Sequence, residues 1–153
     1  MRNSQKEKEL YNGTNIIMKP HLFDSISSLL RALGLPEILP PVDGFVWYDR
    51  AKFHSGFCAD LPEEEADFMF VSQVHATASA FTYVFKDVAW KMKPSWHIVA
   101  TGDHSLPTEL ERFMGKRAGA KVSELKSSHV LFILHPKEAA DVIEAATKGA
   151  AVK

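Results

Sequence analysis

A strand–helix–strand pattern in residues 93–136 constrains the fold of this 153-residue chain more than any other feature. The first strand, residues 95–101, carries apolar side chains on both faces, at Trp96, Ile98, Val99 and Ala100. Such a near-continuous apolar pattern is typical of a strand that is covered on two sides in a parallel sheet. Residues 121–125 follow one helix later as a shorter strand. The unit therefore predicts two parallel strands joined by a helical crossover.

Two helices complete this part of the chain. Pro107 and Thr108 open the first helix, and Gly119 is placed to end it. Its helically spaced face is expected to comprise Leu110, Phe113, Met114 and Arg117. The last helix begins at His135 and Pro136, and its apolar face is expected to pack on the sheet. That face comprises Ala139, Ala140, Val142, Ile143 and Ala146.

An acid and a base follow the two predicted strands. Asp103 comes directly after the first strand, and His129 comes after the second. The loops that follow parallel strands all open at the same edge of a sheet, which is where ligands and catalytic side chains collect. We therefore expect Asp103 and His129 to lie close together.

Two motifs around these residues resemble a known family. Residues 96–107 read Trp-His-Ile-Val-Ala-Thr-Gly-Asp-His-Ser-Leu-Pro, and residues 127–130 read Ser-Ser-His-Val, with His-Pro-Lys-Glu shortly after. They resemble the acid-bearing strand and the histidine loop of small esterase-like serine hydrolases with the α/β-hydrolase fold. The resemblance continues back through Lys-Phe-His at 52–54 and Ala-Asp-Leu-Pro at 59–62 to Asp-Gly-Phe at 43–45, so it covers about residues 43–148.

By this resemblance Asp103 is the acid of a catalytic triad and His129 is its general base, and the implied chemistry is the hydrolysis of a small-molecule ester. In the intact family a small lid covers the active site, and residues 20–92 correspond to that lid-like helical region. One local departure is Gly102, where the family pattern leads us to expect an acidic residue before the aspartate.

The larger departure is the lack of a nucleophile. Such enzymes attack with a serine on a Gly-x-Ser-x-Gly elbow that precedes the acid and the histidine in the chain, and this sequence contains no such elbow. Ser55 and Cys58 lack the glycine pattern around them and are not expected to act as nucleophiles. The sequence thus predicts the C-terminal portion of an α/β-hydrolase fold, with lid helices and the last two parallel strands with their flanking helices. The front half of the sheet is expected to be absent.

Two functions from different classes remain open at this point. The chain is either part of an ester-hydrolysing serine hydrolase, inactive alone and in need of a complementing fragment, or a non-catalytic interaction or binding module derived from the fold. An exposed sheet edge also favours a homo-oligomer.

The domain organisation follows from composition along the chain. Residues 1–19 form a polar lead-in that is expected to be disordered, and residues 20–153 form the partial hydrolase domain. Residues 93–148 hold the acid and histidine strands with their helices. An amphipathic helix is expected over residues 22–33, with its apolar face on Phe23, Ile26, Leu29, Leu30 and Leu33.

Shorter signals fill the region between that helix and the first strand. Residues 36–43 hold three prolines and predict a stiff loop, and residues 45–48 predict a short β-like run. Asp49 is a candidate N-cap for a helix that brings Phe53 and Phe57 together. Pro62 starts another helix whose first turn holds three glutamates, which suit the helix dipole.

Composition limits the remaining function classes. A net charge of −1 gives no reason to expect binding to nucleic acid or to an anionic membrane. No apolar run is long enough to span a bilayer and no secretory signal is visible, so we expect a soluble, cytoplasmic protein. The seven histidines show no His-Glu-x-x-His pattern and Cys58 is the single cysteine, so neither a metal, another cofactor nor an internal disulfide is expected.

Overall fold

The computed structural model describes residues 38–81, 83 and 87–150. The predicted lead-in over residues 1–19 and the predicted helix over residues 22–33 lie outside these ranges. The described strands are β1 (Ile38–Val42), β2 (Phe45–Tyr48), β3 (Ala76–Thr77), β4 (Trp96–Ala100) and β5 (Lys121–Leu125). The described helices are α1 (Arg50–Phe57), α2 (Glu63–Val71), α3 (Thr108–Arg117), α4 (Leu131–Leu134) and α5 (Pro136–Ala150). Short 3₁₀ turns occur at Ala78–Phe81 and Ala89–Lys91.

The β4 and β5 strands form a two-stranded parallel sheet, as the strand–helix–strand pattern predicts. Their register runs from Trp96 opposite Lys121 to Ala100 opposite Leu125. Val99 and Ala100 are buried at the carboxyl end of β4, while most of β5 is exposed. The carboxyl end of β4 is therefore the part of the sheet that is packed into the protein. The turn that holds Asp103, residues 101–106, follows it directly and is called the acid turn.

Helix α3 has the predicted bounds, but only Leu110 of its predicted face is fully buried. It starts at Thr108 after Pro107, and Gly119 adopts a φ of +61° just beyond its end. The buried residues are Leu110, Glu111 and Gly115, whereas the predicted face member Met114 is 38% exposed. Gly115 faces the sheet. A Cβ there would lie 3.0 Å from Val122 Cγ2 and 3.1 Å from His97 Cδ2, so the glycine allows the helix to approach the sheet closely.

The last helix, α5, covers the sheet at one end. A Cβ at Gly149 would lie 2.9 Å from the Trp96 ring, so the C-terminal turns of α5 touch the start of β4. The predicted apolar face is wrong at Ala140 and Ile143, which are exposed, with Ile143 64% accessible. Because the helix contacts the sheet near its C-terminal end, only some of its apolar residues are covered.

A second sheet precedes the parallel one. Strands β1, β2 and β3 form an antiparallel sheet in that order. The predicted β-like run at residues 45–48 is confirmed as β2, but the predicted loop over residues 36–43 is wrong, because residues 38–42 form β1. Pro40 and Pro41 fall where the register between β1 and β2 shifts, in an edge strand, which is a position that tolerates proline.

Helices α1 and α2 build the main apolar cluster. The side chain of Asp49 accepts a hydrogen bond from the Ala51 amide and caps α1, and the rings of Phe53 and Phe57 stack with centroids 5.0 Å apart, as predicted. The buried members of this cluster are Phe53, Cys58, Leu61, Ala66 and Val130. Val130 follows His129 directly, so the histidine loop is part of the same core as α1 and α2. The described chain is a partial α/β fold.

Candidate active site

The predicted acid and base lie in contact. Nδ1 of His129 is 2.6 Å from Oδ2 of Asp103, and the Asp103 side chain is 1% exposed while that of His129 is 33% exposed. A buried carboxylate paired with a partly accessible imidazole allows a reactant to reach the histidine but not the acid.

The turn after β4 fixes the orientation of Asp103. Its backbone amide donates to the carbonyl of Ala100 at 3.1 Å. Its Oδ1 accepts hydrogen bonds from the amides of Ser105 at 2.7 Å and Leu106 at 3.1 Å. Because Oδ1 is satisfied by backbone donors of its own turn, Oδ2 is directed to His129.

The environment of His129 favours its protonated form. The hydrogen bond to Asp103 raises the pKa of the imidazole above the usual value of 6.5, and this effect outweighs burial, which acts in the opposite direction. The charges of Asp103 and Glu111 raise the pKa further. The ring of Phe57 packs against the imidazole with centroids 4.6 Å apart. The histidine is thus held by an acid on one side and an aromatic ring on another.

A carboxylate that sequence reasoning did not assign supports the histidine loop. Oδ2 of Asp60 accepts hydrogen bonds from the Ser128 amide at 2.7 Å and from the Ser127 hydroxyl at 2.8 Å, and Oδ1 accepts from the Ser128 hydroxyl. Burial opposes the charge of Asp60, but these bonds from Ser128 and Ser127 lower the pKa of its carboxyl. Asp60 appears in the Ala-Asp-Leu-Pro motif, but nothing near it in the chain signals this role.

The acid turn is tied to helix α1 by a second set of hydrogen bonds. Nδ1 of His104 lies 3.0 Å from the carbonyl of Ser55, and the hydroxyl of Ser105 donates to the carbonyl of Gly56 at 2.9 Å. The Tyr48 hydroxyl lies 3.0 Å from the Ser105 hydroxyl. The acid turn is therefore attached to the end of α1, and the histidine loop is attached to the turn that follows α1.

A second buried acid, Glu111, also lies at this edge of the sheet and was likewise missed. Its Oε2 accepts a hydrogen bond from the Ala100 amide at 3.2 Å and lies 4.0 Å from Nε2 of His97. Burial raises the pKa of the Glu111 carboxyl, and the charge of Asp103 acts in the same direction. The face predicted from the helical spacing of α3 did not include Glu111, so no signal marked this residue.

The side chains considered as nucleophiles are unsuited to the task. Ser55 is exposed, and its hydroxyl donates to the carbonyl of Lys52 at 3.3 Å. Cys58 is fully buried, and burial raises the pKa of its thiol, which disfavours the reactive thiolate. The structure thus brings Asp103 and His129 together and places neither Ser55 nor Cys58 in hydrogen-bonding contact with His129.

The described part of the chain offers no group of three or more histidine, cysteine, aspartate or glutamate side chains that could hold a metal ion. None of the helices in residues 38–81, 83 and 87–150 combines the length and the apolar character that a membrane span requires.

Comparison with known proteins identifies the family. The alpha/beta hydrolase family matches residues 11–142, which include β4, β5, Asp103 and His129. Comparisons with curated proteins and with solved structures return no match. The family match agrees with the resemblance drawn from the motifs and with the partial α/β fold. The chain belongs to the alpha/beta hydrolase family.

Proposed function

We propose that this chain supplies the acid–histidine half of an ester-hydrolysing serine-hydrolase site and does not turn over esters alone. The observation that carries the proposal is the 2.6 Å contact between Nδ1 of His129 and Oδ2 of Asp103. The backbone of the acid turn holds that carboxylate in place. This is the geometry by which an acid orients a general base.

Asp103 and His129 would have distinct roles. By accepting the Nδ1–H bond, Asp103 selects the imidazole tautomer whose Nε2 carries a lone pair. That lone pair can take the proton of a serine hydroxyl as the oxygen attacks an ester carbonyl. The buried charge of Asp103 then stabilises the imidazolium until Nε2 returns the proton to the leaving alcohol.

The chain lacks the groups that would complete this reaction. The sequence holds no Gly-x-Ser-x-Gly elbow. Without that serine there is no acyl-enzyme, and the oxyanion donors beside the elbow are missing as well. Loss of a single oxyanion donor costs about 3 to 4 kcal/mol in transition-state stabilisation, which is already a rate loss of about a hundredfold to a thousandfold. A complementing hydrolase fragment would have to supply these groups.

The partly covered sheet offers a place for such a fragment. The carbonyl of Ser95 and the amide of Thr101 bond to the main chain at the two ends of β5. Successive residues of a strand direct their main-chain groups to opposite edges, so those of Trp96 and Ile98 point away from β5, to the other edge of β4. No described strand pairs with that edge. It could accept a strand from a complementing fragment or from a second copy of the chain.

A chimera tests the proposal. The front half of an active serine hydrolase of this family, with its own Gly-x-Ser-x-Gly elbow, is fused ahead of residue 43, and hydrolysis of short p-nitrophenyl esters is measured. We expect turnover that is lost in His129→Ala and in Asp103→Ala and retained in Asp67→Ala, which changes an exposed carboxylate paired with Arg50. A chimera that unfolds cooperatively but hydrolyses no ester would contradict the proposal and favour the non-catalytic interaction module.

A further inference from the structure

Asp60 joins two distant parts of the chain. It lies in the turn between α1 and α2. Its carboxylate accepts a hydrogen bond at 2.7 Å from the amide of Ser128, which lies 68 positions later in the chain. Three hydrogen bonds from Ser127 and Ser128 end on its two carboxylate oxygens. Hydrogen bonds to an ionised acceptor are about twice as strong as neutral ones, so this contact is a strong local constraint on the residues just before His129.

The same constraint extends to the acid turn. The carbonyl of Ser127 accepts a hydrogen bond from the Gly102 amide at 3.0 Å. Ser127 is thus held by Asp60 through its side chain and holds the residue before Asp103 through its backbone. Ser127 and Ser128 are each 3% exposed, so the serine ends of these bonds are shielded from water, while Asp60 itself is exposed.

We propose that Asp60 is a positioning residue, which fixes the loop of Ser127 and Ser128 so that Nδ1 of His129 meets Oδ2 of Asp103. The proposal deepens the acid–histidine function proposed above and rests on it for its catalytic meaning. Asp60 itself does not touch the imidazole or the acid. It acts through the loop.

Position and charge can be separated here. The ionisable groups that shift the protonation of His129 are Asp103, which bonds to it, and Glu111, which approaches from α3. Asp60 bonds to residues of the loop and not to the imidazole. Asp60→Asn removes the charge and keeps an acceptor oxygen, so comparing it with Asp60→Ala separates a movement of the loop from the loss of a charge.

NMR of the full chain tests the proposal without any substrate. In Asp60→Ala we expect loss of the low-field Nδ1–H resonance of His129 and a fall of its pKa toward 6.5, the value of an unperturbed histidine. In Asp60→Asn, which keeps an oxygen that can accept the Ser128 amide, we expect part of the resonance to return. Asp67→Ala is the matched control, because Asp67 is an exposed carboxylate on α2 whose contact with Arg50 is a loose 3.8 Å ion pair.

Two results would overturn the proposal. An unchanged resonance and pKa of His129 in Asp60→Ala would show that the loop holds itself, and equal losses in the alanine and asparagine variants would show that charge matters rather than position. If Asp60→Ala does not fold, the double variant Ser127→Ala/Ser128→Ala decides, since it keeps the carboxylate and removes both hydroxyl bonds to it. An unaltered His129 there also overturns the proposal. Because these readouts need only the chain itself, they are independent of whether the chimera hydrolyses esters.

Discussion

Nδ1 of His129 lies 2.6 Å from Oδ2 of Asp103, although the two residues are 26 positions apart in the chain. One strand and one helix occupy the intervening sequence, and the parallel pairing of β4 with β5 places both loops at the same edge. The contact is therefore a product of the strand–helix–strand unit together with the two turns that leave it.

This contact makes the stability of the chain depend on pH. The folded-state pKa of His129 is raised above the unfolded value of 6.5, so the stabilisation from the pair is fully present below pH 6.5 and is lost as the pH rises through the folded pKa. We expect denaturant unfolding to show this loss for the native chain. His129→Gln removes the titrating group and should abolish the loss of stability above pH 6.5. His135→Gln should retain that loss.

If the native chain and His129→Gln had parallel stability profiles above pH 6.5, the raised pKa of His129 would be refuted.

The isolated chain should not hydrolyse esters. We expect no turnover of short p-nitrophenyl esters above the background of His129→Ala, and no labelling by a fluorophosphonate probe, since Cys58 is buried and no serine elbow is present. The measurement is the initial rate at several protein concentrations. Turnover that disappears in His129→Ala would reveal a nucleophile in this chain, and Ser55 and Cys58 would be the first substitutions to make.

Gly102 should be intolerant of a side chain. A Cβ at this position would lie 3.0 Å from the carbonyl oxygen of Ser127, which also accepts the Gly102 amide. Gly102→Ala should therefore push the acid turn from the histidine loop and lower the free energy of unfolding by about 1 to 3 kcal/mol. The low-field Nδ1–H resonance of His129 should weaken at the same time.

Gly119→Ala provides the contrast. Gly119 has a φ of +61° but no atom within 4 Å of an added Cβ, so alanine there should cost about 1 kcal/mol through backbone strain and leave the His129 resonance intact. Equal effects of the two variants on that resonance would contradict a specific contact between Gly102 and Ser127.

The chain should also associate with itself or with a partner. The outer edge of β4 pairs with no strand within the described residues, and α4 exposes Phe132, Ile133 and Leu134. We expect light scattering to give a mass above that of the monomer, rising with concentration, or otherwise a chain that binds a hydrophobic dye. A monodisperse monomer with a sharp thermal transition and no dye binding would refute this expectation.

The sequence predicted those features that depend on neighbouring residues. Helix α3 is bounded by Pro107 and Gly119, and Asp49 caps α1, because caps and turns act within a few residues. Asp103 and His129 could be paired because parallel strands order their ends in a regular way. The resemblance to the alpha/beta hydrolase family is confirmed by the match over residues 11–142.

The remainder depended on tertiary contacts that leave little local trace. In the sequence Asp60 looks like an ordinary turn residue, and only the folded structure shows that it accepts hydrogen bonds from Ser128. Glu111 would be expected on a solvent face, yet it is buried and bonds to the Ala100 amide. The prolines of β1 suggested a loop, and only pairing with β2 along one edge allowed a strand there.

The bonds between Asp60 and Ser127–Ser128 span nearly half the chain, and this span has a kinetic consequence. Contacts between residues 67 and 68 positions apart can form only after a large loop has closed, and such closure slows folding. Helices α1 and α2 can form early, since their contacts are local. During synthesis the histidine loop leaves the ribosome long after Asp60, so the site should assemble as one of the last folding events, and the arrival of His129 at Asp103 would mark its end.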